Sequence, residues 1–391
     1  MSFNSWVKYN LLDISKIHTG KSNSVDSTEY GPYPFIDRSQ TIKRSLKYLY
    51  DETAILIPGE GQEFNPRYIS GKYDLHQRVY AIVPDEKIVN AKFLYYLMID
   101  NKNVLSQVAV GSTVKSLRLS SFEFLKLHIP KLSIQEEITN ILSSLDDKIE
   151  LNNKINKNLE ELAQTLYKHW FVDFEFPNEE GKPYKSSGGK MIESELGLIP
   201  ENWTIQYLNE VLEFERGIEP GSKNYEETYK EHLVPFYRVG DMINQDKVVY
   251  VDKELTNNKI ANVGDVFVSF DGALGRISNT LNGSYSTGIR KVFSKEKFLS
   301  NNFIYVLFQS ADIQNTIKMY ASGTTILHAS SSIQYLSMPF NKDIVDKFTE
   351  TISPIVDKII TNKIENIKLA EMRDLLLPKL MSGEIRLPIE E

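Results

Sequence analysis

Several short stretches carry residue types that do chemistry elsewhere, and each fails on spacing. Asn65-Pro66-Arg67-Tyr68 is one residue from the Asn-Pro-Pro-aromatic motif that grips a flipped adenine in amino-methyltransferases, with Arg67 in place of the second proline. No Gly-rich cofactor turn follows a strand at a suitable distance, which argues against a methyltransferase site there. His18-Thr19-Gly20-Lys21-Ser22 has the end of a phosphate-binding loop, but the position that needs the motif's first glycine is Ser15. Gly272-Ala273-Leu274-Gly275-Arg276 reads as a turn after a strand, although its backbone and Arg276 can approach a phosphate. Asp85, Glu86 and Lys87 are contiguous, without the separation a metal-dependent nuclease needs. Ser330, Ser331 and Ser332 have no arranged His and Asp in the sequence. The six histidines are scattered, with no HxxxH pair, and read as surface or core residues. No catalytic, metal or cofactor site is expected on this chain.

Donors for nucleic acid are the stronger signal. Arg38, Lys43, Arg44 and Lys47 cluster with Tyr48 and Tyr50; Arg67, Arg78, Lys115 and Arg118 are further donors in the same half. The second half offers Lys223, Arg238, Arg276, Arg290 and Lys291. Arginine binds guanine bidentately in the major groove and lysine serves phosphates. Any one of them alone is better explained as a solvated surface charge, so the reading rests on the set.

The net charge of −7 does not advertise a nucleic-acid binder, but its distribution is uneven. Residues 1–133 carry 17 basic and 13 acidic side chains, net +4; residues 134–175 carry 4 and 9, net −5. Residues 194–340 carry 13 and 17, and 341–391 carry 8 and 10. A DNA-facing surface must therefore concentrate its positive charge, and the acidic segment suits protein partners better than phosphates. Cysteine is absent, which excludes disulfides and thiolate metal sites and fits a reducing, cytoplasmic setting. No run of 18 apolar residues suggests a membrane span, and the first ten residues lack the regions of a signal peptide.

What must position these donors is a repeat. Residues 149–159 read IELNNKINKNL, and 359–369, 210 positions on, read IITNKIENIKL. Positions 138, 142, 145, 149, 152, 156, 159, 163, 166 and 170 hold Ile, Leu, Leu, Ile, Asn, Asn, Leu, Ala, Leu and Trp. Steps of four and three alternate, the coiled-coil period. The same positions one repeat later hold Phe, Ile, Ile, Ile, Asn, Asn, Leu, Arg, Leu and Leu, and only Arg373 against Ala163 breaks the apolar match. Each helix is about 40 residues, roughly 60 Å at 1.5 Å per residue, and cannot bury its stripe alone. The expectation is an antiparallel pair related by a local two-fold. Asn152, Asn156, Asn362 and Asn366 then set its register, because a buried amide lowers stability but demands a mate.

The repeat reaches outside the helices. GSTVKSL (111–117) recurs as GTTILHA (323–329), KFLYYLM (92–98) as NFIYVLF (302–308), and TAILIPGEG (53–61) has a counterpart in DVFVSFDGALG (265–275). YPFIDRS (33–39) resembles VPFYRVG (234–240), and LLDISKIHTG (11–20) resembles LNEVLEFERG (208–217), in the same order. The chain is a tandem duplication of a globular region followed by a long helix. The short β-branched and aromatic runs point to α+β domains with mostly antiparallel sheets. The expected organisation is a first domain at 1–133, a central helix at 134–175, a Gly-, Pro- and Ser-bearing linker at 176–199, a second domain at 200–340, and a C-terminal helix and tail at 341–391.

Residues 129–174, with Pro130, Leu132 and Gln135 entering the long helix, resemble the central region of type I restriction-modification specificity subunits; Lys131 stands where a second proline is common. SELGLIPENW (194–203), LLLPKLMSGEIRL (375–387), GKYDLHQRVYAI (71–82) and the two Gly-(Ser/Thr)-Thr segments fit as well. The resemblance implies two target-recognition domains, each reading half of a bipartite site in double-stranded DNA, with the helices as spacers. It implies a chain without catalysis or cofactor of its own. Its partners would be two methyltransferase subunits using S-adenosylmethionine and restriction subunits using ATP and Mg2+. Slippage of the helix pair by one heptad would shift the domains by roughly 10 Å, about three base pairs. Two other readings stand beside it: an autonomous methyltransferase or nuclease, and a coiled-coil adapter that never touches DNA.

Overall fold

A computed structural model describes residues 6–243, 245, 248–323 and 327–387. Residues 324–326 of the second Gly-Thr-Thr segment lie outside the described residues. The chain divides into two units, one of residues 1–149 with 368–391 and one of residues 150–367.

In the first unit the strand Tyr50–Pro58 is central because its Ala-Ile-Leu-Ile run is apolar on both faces. Alternation sends Ile55 and Ile57 into a core with Phe93, Leu94 and Leu97 of the helix Ala91–Asp100. Ala54 and Leu56 face the other way, onto Ile36, Tyr73, Leu75, Val79 and Ala81. The sheet runs Ser15–Thr19, Val79–Pro84, Tyr50–Pro58, Arg67–Leu75, Tyr33–Ile36, Lys43–Ser45. All neighbours are antiparallel except Tyr33–Ile36 beside Arg67–Leu75, where Phe35 meets Asp74 and Ile36 meets Leu75.

The second unit repeats this scheme. Leu212–Arg216, Ile289–Ser294, Val266–Ser269 and Ile277–Ser278 form one antiparallel sheet. Leu233–Tyr237 pairs with Val249–Asp252 and, in parallel, with Ser284–Tyr285. The counterpart of the long strand Arg67–Leu75 is thus split into two short strands. A glycine marks the same close approach in both units. A Cβ at Gly20 would lie 1.9 Å from the Leu75 carbonyl oxygen, and one at Gly217 would lie 2.2 Å from that of Tyr285.

Each domain closes on its own two-stranded ribbon. Val7–Asn10 pairs with Lys126–Ile129, and Thr204–Tyr207 pairs with Ser337–Phe340. A long helix follows each ribbon at once, Leu132–Tyr167 and Lys342–Met381. The first is pinned at its start by Gln135, whose side chain is fully buried. Its Oε1 accepts from the Asn90 amide at 2.7 Å, and its Nε2 donates to the Ile88 and Pro130 carbonyls at 3.0 and 2.8 Å. A single amide thereby satisfies three backbone groups where the helix leaves the domain.

The segment expected as a linker is ordered. Phe176 stacks on Tyr184 at 4.7 Å and on Trp203 at 5.1 Å, and Met191–Ser194 pairs with Gly197–Pro200 as a hairpin. Its Gly and Pro residues obscured two aromatic anchors, Phe176 and Tyr184, and their stack with Trp203 beyond it. A turn of π-helix over Lys168–Val172 ends the first long helix there, with Phe171 packed on Phe303 and Phe348.

Candidate nucleic-acid interface

In the first unit, Arg38, Lys43, Arg67 and Arg78 gather around two carboxylates. Asp37 follows the strand Tyr33–Ile36, and its Oδ2 accepts from Lys43 Nζ at 2.7 Å. Burial alone would raise the Asp37 carboxyl, but hydrogen bonds from Lys43 and Ser39 outweigh it and hold the group below its ordinary value. Arg67 donates to the Asp37 carbonyl at 2.7 Å, and its Nε and Nη1 are buried with no hydrogen-bond partner in the protein. Burial lowers the Arg67 pKa, although Asp37 opposes this. Glu60 holds two further guanidinium groups, Arg38 at 2.6 Å through Oε2 and Arg78 through Oε1. Ser24, Asp37, Arg38, Ser39, Glu60, Gly61 and Val114 line a shallow concavity of about 340 Å³.

The other four expected donors of this unit stand outside that cluster. Arg44 is tied to the Gly31 and Pro32 carbonyls at 2.8 and 3.3 Å. Lys47 faces Asp26 at 3.8 Å, and Lys115 donates to the Ser106 carbonyl at 2.9 Å. Arg118 is exposed at the start of a 3-10 turn, Leu119–Phe124.

In the second unit Arg238 pairs with Asp241 through two nitrogens, at 2.8 and 3.3 Å, and this contact raises its pKa. Arg276 donates to the Val239 carbonyl at 3.0 Å, much as Arg67 does to that of Asp37. Arg290 is buried; it donates to the Thr287 carbonyl and to Ser330 Oγ at 2.9 Å, and burial lowers its pKa. Lys291 is bound to Asp265 at 2.7 Å and mostly covered. Lys223 is exposed in a short turn, Ser222–Asn224. In this conformation Arg290 ties the strand Ile289–Ser294 to the Thr287 turn and to Ser330, and Lys291 is paired with Asp265.

The sequence reading passed over Glu60, Asp271 and His328. His328 Nδ1 lies 2.7 Å from Asp271 Oδ1, and the histidine side chain is 59% exposed. The only sequence signal was an acid beside a glycine in both repeats, Glu60-Gly61 and Asp271-Gly272.

The four asparagines expected to set register all lie in the second unit. Asn152 Nδ2 donates to Asn366 Oδ1 at 2.9 Å, and Asn362 Nδ2 donates to Asn156 Oδ1 at 2.9 Å. Asn152 and Asn362 are one repeat apart, as are Asn156 and Asn366, so the two bonds are images of one another. The partner number falls as the first rises, so the helices run antiparallel. Asn366 also donates to Asn153 Oδ1, and Asn152 to Glu365, at 2.9 and 2.8 Å.

Each unit adds a bridge from its domain to both helices. In the first, Tyr96 and Arg373 share Asp146, at 2.6 and 2.8 Å. In the second, Tyr305 and Lys363 share Glu160, at 3.0 and 2.8 Å, and Lys363 also reaches the Tyr305 hydroxyl at 3.0 Å. Burial pushes the Tyr305 phenol up to about 12. For Lys363, burial lowers the pKa, but Tyr305 and Glu160 more than offset it.

A family model described as "Type I restriction modification DNA specificity domain" matches residues 4–161 and again 200–368. The chain belongs to that family. It is a specificity subunit, a DNA-recognition chain without catalysis of its own. The type I restriction enzyme HindI specificity subunit of Haemophilus influenzae is 26% identical over 97% of this chain and 99% of its own length. The MjaIX specificity subunit of Methanocaldococcus jannaschii is 30% identical over 78% of this chain and 71% of its own. The crystal structure of the type I restriction-modification S subunit from M. genitalium shares the fold, with a TM-score of 0.57, 17% identity, and coverage of 99% and 97% of the two chains. Among the described residues of this specificity subunit, no cluster of three His, Asp or Glu could hold a metal, and no helix is long and apolar enough to cross a membrane.

Proposed function

We propose that this specificity subunit reads a bipartite site in double-stranded DNA, with residues 1–133 on one half and 200–340 on the other. The observation that carries this is one frame used twice with different side chains. In that frame the first domain has Glu60 with Arg38 and Arg78, and the second has Asp271 with His328. Equal frames with unlike donors suit two unlike half-sites. The solvent-facing donors, Arg38, Arg78, Lys47, Arg118 and Lys223, serve bases and phosphates; Lys43, Arg67, Arg238 and Arg276 shape the surface beneath them. The asparagine ladder fixes which residues of the two helices face each other, and register becomes part of the specificity.

The chain recruits two methyltransferase subunits, which methylate adenine with S-adenosylmethionine, and restriction subunits, which use ATP and Mg2+. A subunit repeated twice suits a partner present in two copies. The assembly works in the cytoplasm, where the genome is. Methylated adenines are to be mapped in the host genome with and without this gene. A two-part motif with a fixed gap is expected to disappear on deletion. An unchanged methylation map would refute the reading.

A further inference from the structure

The two domains share one pattern of backbone pairing. Glu60 pairs with Ser116, and Asp271 bridges to His328. Ser116 in turn bridges to Val110, and His328 to Ser322. The Leu117 amide donates to the Gly59 carbonyl at 2.8 Å, and the Ala329 amide donates to that of Phe270 at 2.8 Å. Glu60 and Asp271 therefore occupy the same place in the repeated fold, and so do Ser116 and His328.

We propose that this place is the base-reading centre of each domain, and that in the first domain it reads guanine. The inference rests on the bipartite reading above and names the base class for one half of it. Glu60 uses one oxygen for each of two guanidinium groups. The Arg38 and Arg78 side chains remain 45% and 55% exposed. Each holds five N–H donors in a planar fork and gives Glu60 one nitrogen, so paired donors are left for the O6 and N7 acceptors of guanine. The carboxylate does for these long side chains what packing does in a core: it fixes the fork before DNA arrives, so less rotamer freedom is lost on binding. Ser24, Asp37, Ser39, Gly61 and Val114 line the concavity beside Arg38 and Glu60.

The second domain replaces this pair by a single imidazole. His328 is held through Nδ1 by Asp271, which leaves Nε2 as the outward contact atom. One ring nitrogen cannot reproduce two guanidinium forks. The same frame thus gives the second domain a different base preference.

The test uses the full chain with its methyltransferase subunits, expressed in a host lacking the gene, and reads adenine methylation across the genome. Variants are Arg38→Lys, Arg78→Lys, Glu60→Gln and His328→Ala. The lysine variants keep the charge and the Glu60 contact but lose the fork. They are expected to relax one or two guanine positions in one half-site by roughly ten- to a hundredfold, the worth of a bidentate contact. The other half and the gap should be unchanged. Glu60→Gln should relax the same positions, and His328→Ala should relax only the opposite half. An unchanged motif in the lysine variants would overturn the assignment, as would a uniform loss across all sites, the mark of phosphate contacts. Loss of all methylation with Glu60→Gln alone is decided by the lysine variants. A wild-type complex that methylates no bipartite motif would instead defeat the underlying function.

Discussion

Replacing Arg373 by alanine is expected to lower the stability of the chain by about 2 kcal/mol, read as a lower urea midpoint. Breaking a buried ion pair from one side costs roughly 3–5 kcal/mol because a charge is left without a partner. Asp146 and Arg373 keep 28% and 30% of their side chains exposed, so water offsets part of that loss. The other repeat supplies the control. One repeat away, the equivalents of Asp146, Arg373 and Tyr96 are Val356, Ala163 and Val306, all buried and apolar. Asp146→Val with Arg373→Ala and Tyr96→Phe is therefore expected to recover most of the stability that Arg373→Ala loses. A triple variant as unstable as the single one would show that the charges do more than replace an apolar contact.

The second large effect is expected from the asparagine ladder. Asn152 and Asn362 are buried, and the Oδ1 atom of each has no hydrogen-bond partner. Leaving a buried acceptor unsatisfied costs roughly 1–3 kcal/mol, so leucine at Asn152, Asn156, Asn362 and Asn366 should stabilise the helix pair by several kcal/mol in all. Uniqueness should fall as stability rises, because leucine seams pair in several registers and oligomeric states. Native mass spectrometry should then find species beyond the wild-type form, and the methylated motif should lose its single gap. A more stable variant with wild-type assembly and an unchanged gap would rule out a register role.

The duplication and the paired helices were legible because they rest on periodicity, which survives in the sequence whatever surrounds it; the α+β domains were legible from short β-branched and aromatic runs. Arg373 was legible as a break in the pattern but not as a bridge. Its partner Asp146 lies off the apolar seam, and Tyr96 comes from a helix of the domain. The order in residues 176–199 was hidden because stacking of Phe176, Tyr184 and Trp203 joins residues far apart in a Gly- and Pro-rich stretch. The basic residues were legible as types and not as roles. Arg38 and Arg290 look alike in sequence, yet one is exposed on Glu60 and the other buried against Thr287 and Ser330. Strand pairing decides which, and pairing is long-range. The same holds for Glu60 and Asp271, whose equivalence rests on backbone bridges to residues 116 and 328.

The most direct measurement of two independent readers on one chain is an exchange of residues 1–133 for the corresponding domain of another specificity subunit, followed by a genome-wide map of methylated adenines. One half of the motif should become that of the donor protein, while the other half stays as it was. A motif altered in both halves, or in neither, would contradict the account.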